Sequence, residues 1–259
     1  MPGSKRVEVS EFRSFAFYGR SGTGKTTLAA SFPGPIILLD IRDEGTDSVH
    51  DVENLDVREI EDQEDMEDAY YWLKKNPKAY KTVVIDTVSM WQQMVVTEIV
   101  GDKGRKGKRA GDWGSMTKQD WGKVAGILKD WIINYRDLAK ELEVNVVFIA
   151  QDRVFNLGDD EEDLDDRIAP EVGPALSPAV AKVLNAGVSV IGNTFIREVK
   201  IKKEVKGKIK KVPMTEYCLR IGPNSVYVTK VRKPKSVEAP PFIKDPTYED
   251  IMEVITGEA

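Results

Sequence analysis

The sequence predicts an α/β fold in which a mostly parallel sheet is flanked by helices and extended by antiparallel strands towards the C-terminus. Short, continuous apolar runs alternate with longer helical segments over residues 15–150, as expected for parallel strands that are buried on both faces. After residue 186 apolar and polar residues alternate around a turn near Lys206, Gly207 and Lys208, which predicts the antiparallel extension.

The predicted elements follow one another in strand–helix order. The buried strands are expected over residues 15–18, 36–39, 82–85 and 144–150, and the helices over residues 25–32, 64–75, 89–100 and 118–142. The antiparallel strands are expected over residues 188–199, 216–221 and 226–231. Asp245 followed by Pro246 has the pattern of an N-cap with proline at the first helical position, so a short last helix is predicted to run through Val254. We therefore expect one domain over residues 1–242 and a C-terminal tail with a short helix over residues 243–259.

The composition is that of a soluble globular protein. Of the 259 residues, 41% are hydrophobic and 31% are charged, and no apolar stretch has the length that a membrane span needs. Cys218 is the only cysteine, and the first residues lack the apolar segment of a secretory signal, so we expect a cytoplasmic protein without disulfides or a membrane partner. The net charge of −5 gives no overall attraction to nucleic acid, although the charges are unevenly distributed.

The most specific motif comes directly after the first predicted strand. Residues 19–26 read G-x-x-x-x-G-K-T, the pattern of a loop that binds the phosphates of a nucleotide. Its glycines let backbone N–H groups and a helix N-terminus point at the β-phosphate, Lys25 reaches the β- and γ-phosphate oxygens, and the Thr26 hydroxyl can ligate Mg²⁺. We therefore expect ATP and Mg²⁺ to bind here. The expected nucleotide contacts are Gly19, Ser21, Gly22, Thr23, Gly24, Lys25, Thr26 and Thr27.

An aspartate ends the third buried strand, at the edge where ligands of a parallel sheet bind. Asp86 is the candidate second ligand of Mg²⁺, beside Thr26. The alternative is that Asp86 only caps the helix expected from Ser89. The next residue is Thr87, whereas many ring-forming motors of the AAA+ class carry a catalytic glutamate at that position. The carboxylate that activates water is therefore expected at another strand end.

Acidic residues follow the second buried strand at Asp40, Asp43 and Glu44. A carboxylate at this edge of the sheet could orient and polarise the water that attacks the γ-phosphate, and Glu44 is the candidate general base. The alternative is an acidic loop that is solvated and has no role in catalysis.

The fourth buried strand ends at Gln151, at the same edge of the sheet. Its amide can donate to a γ-phosphate oxygen and accept from the loop that follows. Gln151 is therefore a candidate catalytic sensor that reorders residues 152–175 according to whether the γ-phosphate is present. A polar residue that merely ends a strand is the alternative.

Several of these motifs together resemble the core of RecA/RadA-type recombinases in order and spacing. They are the phosphate loop, the acidic turn after the second strand, Val83-Val84-Ile85-Asp86-Thr87 and Val147-Phe148-Ile149-Ala150-Gln151. The resemblance covers residues 14–242 and implies a RecA-like P-loop NTPase fold, DNA-stimulated ATP hydrolysis and a homo-oligomeric filament or ring. The chain is most similar to short phage RecA-like ATPases of single-strand annealing and recombination. That likeness implies a bacterial or phage-infected cytosol and, as a further partner, a single-stranded-DNA-binding protein.

The resemblance also implies where single-stranded DNA would bind. In the family the loop after the Asp86 helix contacts DNA, and here it spans residues 101–111, where five cations lie among glycines. Trp113 and Trp121 nearby could stack on bases, although a solvated loop with both tryptophans in the core is the alternative. The family's second DNA loop is acidic here over residues 159–166, which would repel a phosphate backbone. The candidate DNA-binding residues are Lys103, Arg105, Lys106, Lys108 and Arg109.

Two lysines near the C-terminus match another feature of the resemblance. Lys233 and Lys235 correspond to positions from which family members send lysines across a subunit interface to the neighbour's γ-phosphate. Such cations neutralise charge that develops during phosphoryl transfer, as arginine fingers do, so both are candidate catalytic residues that act in trans. The alternative is a basic surface tail.

Other functions share these features. A hexameric helicase core has the same architecture, and an ATP-gated DNA-binding or regulatory module could use the basic hairpin over residues 200–211 as its main contact. A small-molecule kinase could use residues 101–111 as a lid. The segment Thr117-Lys118-Gln119-Asp120 fits a guanine-specificity motif, but we reject that function because the segment precedes a predicted helix instead of ending a buried strand.

Overall fold

The structure, a computed structural model, describes residues 12–42, 45–105, 116–155, 171–205 and 208–257. The helices are α1 (Lys25–Ala30), α2 (Gln63–Lys75), α3 (Val88–Arg105), α4 (Lys118–Glu141), α5 (Pro178–Gly187) and α6 (Tyr248–Thr256). The strands are β1 (Ser14–Tyr18), β2 (Ile36–Ile41), β3 (Leu55–Ile60), β4 (Thr82–Asp86), β5 (Asn145–Ala150), β6 (Asp152–Phe155), β7 (Glu171–Pro174), β8 (Val190–Val205), β9 (Lys208–Arg220), β10 (Lys230–Val231) and β11 (Phe242–Lys244).

One large sheet organises the described part of the chain. Its strands lie in the order β11-β9-β8-β1-β5-β4-β2-β3, and β10 also pairs with β8. The pairings from β8 through β1, β5, β4 and β2 to β3 are parallel, whereas β9, β10 and β11 are antiparallel to their neighbours. Strands β6 and β7 pair antiparallel in a separate two-stranded sheet. The predicted fold class, a mostly parallel sheet with an antiparallel C-terminal extension, is confirmed.

Strand β1 shows why the apolar runs are continuous. Phe15 and Phe17 point to the face covered by α1 and α6, where both rings contact Phe32. Ala16 and Tyr18 point to the opposite face, into the core that the sheet shares with α2, α3, α4 and α5. Because both faces of the sheet are covered, apolar residues are favoured at both sets of alternate positions.

The four buried strands and the four helices predicted before residue 151 are present, with small shifts in their bounds. The sequence does not predict β3, because this edge strand carries Asp56, Arg58 and Glu59 and is only partly buried. The strand predicted over residues 226–231 is wrong for most of its length, since only Lys230–Val231 pairs as a strand with β8.

The predicted N-cap of the last helix is also wrong. Helix α6 begins after Thr247, whose hydroxyl accepts from the Asp250 N–H while the Asp250 carboxylate accepts from the Thr247 N–H. This reciprocal capping box places the helix start two residues later than the Asp245-Pro246 pattern indicates. Asp245 itself has a left-handed backbone with φ of 43°.

A second capping box explains the segment that resembles a guanine-specificity motif. Thr117 is the N-cap of α4, its hydroxyl accepts from the Asp120 N–H, and the Asp120 carboxylate accepts from the Thr117 N–H. Asp120 is therefore engaged at a helix start, and the rejection of the guanine-binding function is supported by its position.

The parallel strands bring the predicted site residues to one edge of the sheet. Tyr18, the last residue of β1, lies opposite Ala150, and Asp86 at the end of β4 lies opposite Ile149. Asp40 in β2 pairs in register with Asp86. The segments that follow these strands therefore emerge side by side, with β5 lying between β1 and β4.

The hairpin of β8 and β9 extends past this edge. Tyr18 pairs with Asn193, yet the two strands of the hairpin remain paired to each other as far as Val205 and Lys208. Strand β10 lies at the opposite edge, because Val231 pairs with Val190 near the start of β8. The hairpin thus stands beside the loop that follows β1.

Candidate nucleotide-binding site

The phosphate loop joins the end of β1 to the start of α1, and glycine is required at several of its positions. Gly22 and Gly24 have φ angles of 76° and 83°, in the left-handed region that glycine occupies without strain. A Cβ atom on Gly19 would lie 2.4 Å from the carbonyl oxygen of Thr194 in β8, so a side chain there would push the loop away from the sheet. The loop is therefore held close to both the sheet and the helix N-terminus.

A hydrogen bond between hydroxyls ties this loop to β8. Thr23 Oγ1 and Thr194 Oγ1 lie 2.7 Å apart, and Thr23 Oγ1 also donates to the Arg20 carbonyl at 2.7 Å. Both threonines are buried. The sequence does not predict this role for Thr194, because nothing in the pattern of β8 shows which of its residues faces the loop.

The Lys25 side chain is held inside the loop. Its ammonium donates to the carbonyl oxygens of Gly19 and Arg20 at 2.9 and 2.8 Å, and the residue is only 8% exposed. A buried cation must be solvated by such partners, and phosphate oxygens provide stronger ones than carbonyls do. The positive charge is thus concentrated where the motif predicts the β- and γ-phosphates.

Thr26 and Asp86 form the contact expected of a metal site. Thr26 Oγ1 donates to Asp86 Oδ2 at 2.8 Å, and Asp86 is 7% exposed. The alternative role of Asp86, capping the next helix, is carried by Thr87, whose hydroxyl accepts from the Met90 N–H at 3.1 Å. A carboxylate and a hydroxyl are the oxygen ligands that Mg²⁺ takes beside phosphate oxygens and water, so these two residues fit the ion.

Gln151 lies at the same edge, between the phosphate loop and Asp86. Its backbone N–H donates to Ser89 Oγ at 3.1 Å, its carbonyl accepts from the Ala175 N–H at 2.7 Å, and its side chain is exposed at the cavity. Asp40 is partly buried in β2 beside Asp86. Asp43 and Glu44, and with them the candidate general base, lie outside the described residues.

These groups surround a cavity of about 750 Å³. This volume falls in the range of pockets that enclose small-molecule ligands. The cavity is lined by Ser21, Gly22, Thr23, Gly24, Lys25, Thr26, Thr27, Leu28, Ser31, Ser48, Asp86, Thr87, Gln151, Thr194, Tyr217, Asp245, Pro246 and Thr247. The sequence motifs predict the first part of this lining but not Tyr217 or the turn at residues 245–247. Those residues come from strands and turns late in the chain, and no local pattern marks them as neighbours of the loop.

Lys233 and Lys235 lie away from this cavity in their own chain. They follow β10 at the edge of the sheet opposite to the phosphate loop. Lys233 Nζ donates to the Val237 carbonyl, and Lys235 is exposed. Neither residue lines the cavity, so the structure does not bring them together with Lys25 within one chain.

The candidate DNA-binding residues are only partly described. The backbone of Lys103 and Arg105 lies in the last turns of α3, whereas Lys106, Lys108, Arg109 and Trp113 lie outside the described residues. Trp121 in α4 is 40% exposed, so it does not belong to the core. The acidic run over residues 159–166 is likewise outside the described part.

The parallel sheet, the glycine-rich loop around Lys25 and the Thr26–Asp86 contact define a P-loop NTPase. The profile of a protein family described as an AAA domain matches residues 11–233, and the chain belongs to this family. It therefore carries an AAA-type ATPase domain, a class that binds nucleotides and usually Mg²⁺. A search for similar curated proteins found no match.

No helix in the described part of the chain has both the length and the apolar character needed to cross a bilayer.

Proposed function

We propose that the chain is an ATP-dependent, single-stranded-DNA-binding RecA-like ATPase that acts in DNA recombination or strand annealing in a bacterial or phage-infected cytosol. The observation that supports this most is the position of Gln151. Its side chain lines the cavity with Lys25, Thr26 and Asp86, and β6 begins at the next residue. This position supports the proposed role of Gln151 as a nucleotide sensor, because a strand that could change with the nucleotide follows it directly.

The chemistry of the proposed site is phosphoryl transfer from ATP to water. Lys25 would neutralise charge on the β- and γ-phosphates. Thr26 and Asp86 would hold Mg²⁺, which when bound would offset further negative charge. Glu44 is the proposed base that orients the attacking water, with Asp40 and Asp43 as the alternatives. Catalysis of this kind depends on positioning and charge more than on covalent chemistry.

The contacts of Gln151 support the proposed switch. Its N–H is bound by Ser89 of α3 and its carbonyl by Ala175, the residue after β7. Strand β6 pairs with β7 from Asp152 opposite Pro174 to Phe155 opposite Glu171. A shift of Gln151 towards a γ-phosphate would therefore displace both β6 and β7. We propose that this movement couples nucleotide binding to DNA affinity.

In the proposed assembly, Lys233 and Lys235 serve the site of a neighbouring subunit in a filament or ring. Their position at the opposite edge of the sheet from the phosphate loop is compatible with contact to a second copy, and hydrolysis would then depend on assembly. A hexameric helicase would use the same arrangement. A single-stranded-DNA-binding protein is a further proposed partner.

One observation favours the second candidate, an ATP-gated DNA-binding module with weak hydrolysis. Lys202 and Lys211 lie directly opposite each other in the β8–β9 hairpin, and both are exposed. Like charges at such a pair repel each other and destabilise the strands, so a bound polyanion would relieve the repulsion. Lys200 is exposed on the same face, because strand residues two apart point the same way.

Two variants that each remove three cations separate these candidates. The first replaces Lys106, Lys108 and Arg109 with alanine, and the second replaces Lys200, Lys202 and Lys211. Binding of a fluorescently labelled single-stranded oligonucleotide is measured by anisotropy over a series of salt concentrations, with and without ATP. We expect the first variant alone to bind more weakly and to lower the slope of log affinity against log salt by about 2, because each lost phosphate contact contributes about 0.7.

Each other outcome has a definite meaning. A loss confined to the hairpin variant would move the DNA contact to the hairpin and favour the regulatory module. Unchanged binding in both variants would reject Lys106, Lys108 and Arg109, as well as the three hairpin lysines, as DNA contacts. No binding of single-stranded DNA by the unaltered protein, with or without ATP, would contradict the proposed function itself.

A further inference from the structure

The cavity extends well beyond the groups that the phosphates of a nucleotide would need. One end is formed by Asp86 and Gln151, next to Thr26. The other end is formed by Tyr217 of β9 and by the turn that joins β11 to α6, residues 245–247. In the sheet, β1, which leads into the phosphate loop, lies between β9, which carries Tyr217, and β4, which carries Asp86.

The direction in which a nucleotide would lie follows from the metal site. Thr26 and Asp86 lie in contact and would hold Mg²⁺ beside the phosphates, so the terminal phosphate would lie towards the Asp86 end. The sugar and the base are attached beyond the α-phosphate and must occupy the remaining part of the cavity. That part is the end with Tyr217.

Tyr217 has an open aromatic surface at this end. The residue is 45% exposed, and its ring lies against the loop, since a Cβ atom on Gly24 would be 3.4 Å from Tyr217 Cδ1. In the described part of the chain, no other aromatic ring packs on it. An exposed ring beside a phosphate site is the surface on which a nucleotide base can stack.

The turn beside Tyr217 is held by hydrogen bonds. The Asp245 N–H donates to the Tyr217 carbonyl at 2.7 Å, and the Tyr248 N–H donates to Ser31 Oγ at 3.0 Å. The Thr247 hydroxyl is engaged with Asp250 in the capping box of α6. The hydroxyls of Thr247 and Ser31 are therefore already used within the protein, so a base at this end would contact the Tyr217 ring rather than hydrogen-bond to these two hydroxyls.

We propose that the base of the bound nucleotide stacks on the Tyr217 ring and that the turn at residues 245–247 forms the adjoining wall of the base site. This inference rests on the proposed function, because it requires a nucleotide in the phosphate loop. It assigns Tyr217 as a binding residue that contacts the base and not the phosphates.

The test compares ATP with inorganic tripolyphosphate, which has the same phosphate chain but no base. Binding of each to the full chain is measured by titration calorimetry in the presence of Mg²⁺. The variants are Tyr217→Ala, Tyr217→Phe, Lys25→Ala and, as a control, Ile196→Ala. Ile196 is the cross-strand partner of Tyr217, is 42% exposed and does not line the cavity.

We expect Tyr217→Ala to weaken ATP binding about tenfold and to leave tripolyphosphate binding within about twofold, because one aromatic–base stack is lost. Tyr217→Phe keeps the ring and should bind ATP like the unaltered protein, as should Ile196→Ala. Unchanged ATP affinity in Tyr217→Ala, or an equal loss for both ligands, would overturn the base site. Lys25→Ala should lose both ligands, and ATP binding that survives this change would overturn the phosphate site as well.

Discussion

The contact between Thr26 and Asp86 joins residues that are 60 positions apart in the chain. It forms because β1 and β4 end at the same edge of the sheet, on either side of β5. The ammonium of Lys25, the neighbour of Thr26, is held by two loop carbonyls. The fold thus brings the positive charge and the two residues proposed to hold Mg²⁺ together, and groups held in place in this way reduce the reorganisation that binding and catalysis require.

Glu216 is the residue that fixes the strands next to Tyr217. Its carboxylate accepts from Arg197 Nη2 of β8 at 2.7 Å and from Lys244 Nζ of β11 at 2.8 Å. The hydrogen bond from Lys244 is the main cause that lowers the pKa of Glu216, and the bond from Arg197 adds to it against the opposing effect of burial. One carboxylate thus links three strands at the base of the hairpin.

A Glu216→Gln variant tests this link through its pH dependence. Because the pKa of Glu216 is lower in the folded state than in the unfolded chain, its contribution to stability is present above the unfolded pKa and is lost as the pH falls through the folded pKa. We expect the variant to unfold at a lower temperature than the unaltered protein at neutral pH, with the difference disappearing in acid. Thermal unfolding followed by circular dichroism from pH 7 to pH 3 measures it. An equal difference at every pH would contradict the ionic role.

At the scale of the elements, a side chain would clash at Gly19 in the phosphate loop but would have free space at Gly126 in α4. Gly19→Ala would place a methyl group 2.4 Å from a backbone oxygen of β8, so the loop must move. Gly126 lies in α4, is exposed, and has no atom within 4 Å of an added Cβ. We expect Gly19→Ala to weaken nucleotide binding and lower the unfolding temperature. The matched Gly126→Ala should stabilise the protein by about 0.5–1 kcal/mol, the usual helix preference for alanine.

Nucleotide titration and thermal unfolding of Gly19→Ala, and chemical unfolding of Gly126→Ala, measure these effects. If Gly19→Ala binds ATP normally, the close approach of loop and sheet is not needed for the site. If Gly126→Ala is destabilised, its surroundings are more crowded than the structure indicates.

The sequence predicts those elements whose signal is local. The strands ending at Tyr18, Asp86 and Ala150 are apolar throughout because both sheet faces are covered, so their ends, and the site residues there, could be located. Strand β3 is not predicted, because an edge strand can carry charged residues and therefore lacks a continuous apolar run. The predicted start of α6 is wrong because two N-cap patterns follow each other, Asp245 before Pro246 and Thr247 with Asp250 three residues later. The capping box of Thr247 and Asp250 is the one that forms.

In the candidate site, too, only residues marked by a local sequence pattern could be predicted. The motif around Lys25 and the strand ends at Asp86 and Gln151 are visible in the sequence, because local chemistry and strand order determine them. Tyr217 and the turn at residues 245–247 reach the cavity only through the pairing of β9 with β8 and β11. Such long-range pairings have no signature in a single stretch of sequence.

For the whole molecule, the proposed assembly makes one strong prediction about Lys235. The residue is exposed, follows β10 at the edge opposite the phosphate loop, and is proposed to act on a neighbour's site. Lys235→Ala and Lys25→Ala should each lose turnover, but a mixture should regain activity, because some interfaces then combine an intact Lys25 with an intact Lys235. Lys81→Ala, a change at another exposed lysine, serves as the control.

Phosphate release by the mixed and separate variants measures this complementation. No gain on mixing would argue against a shared site. Full activity of a monomeric protein, established by light scattering under assay conditions, would end the proposal that these lysines act in trans.

The central claim is that one molecule joins nucleotide hydrolysis to single-stranded DNA. ATP hydrolysis at low salt, measured with and without single-stranded DNA and with Lys25→Ala as the blank, tests it most directly. We predict that DNA raises the rate and that the Lys25→Ala variant shows no turnover under either condition. A rate that is the same with and without DNA would contradict the account, and the AAA-type domain would then serve a function unrelated to DNA.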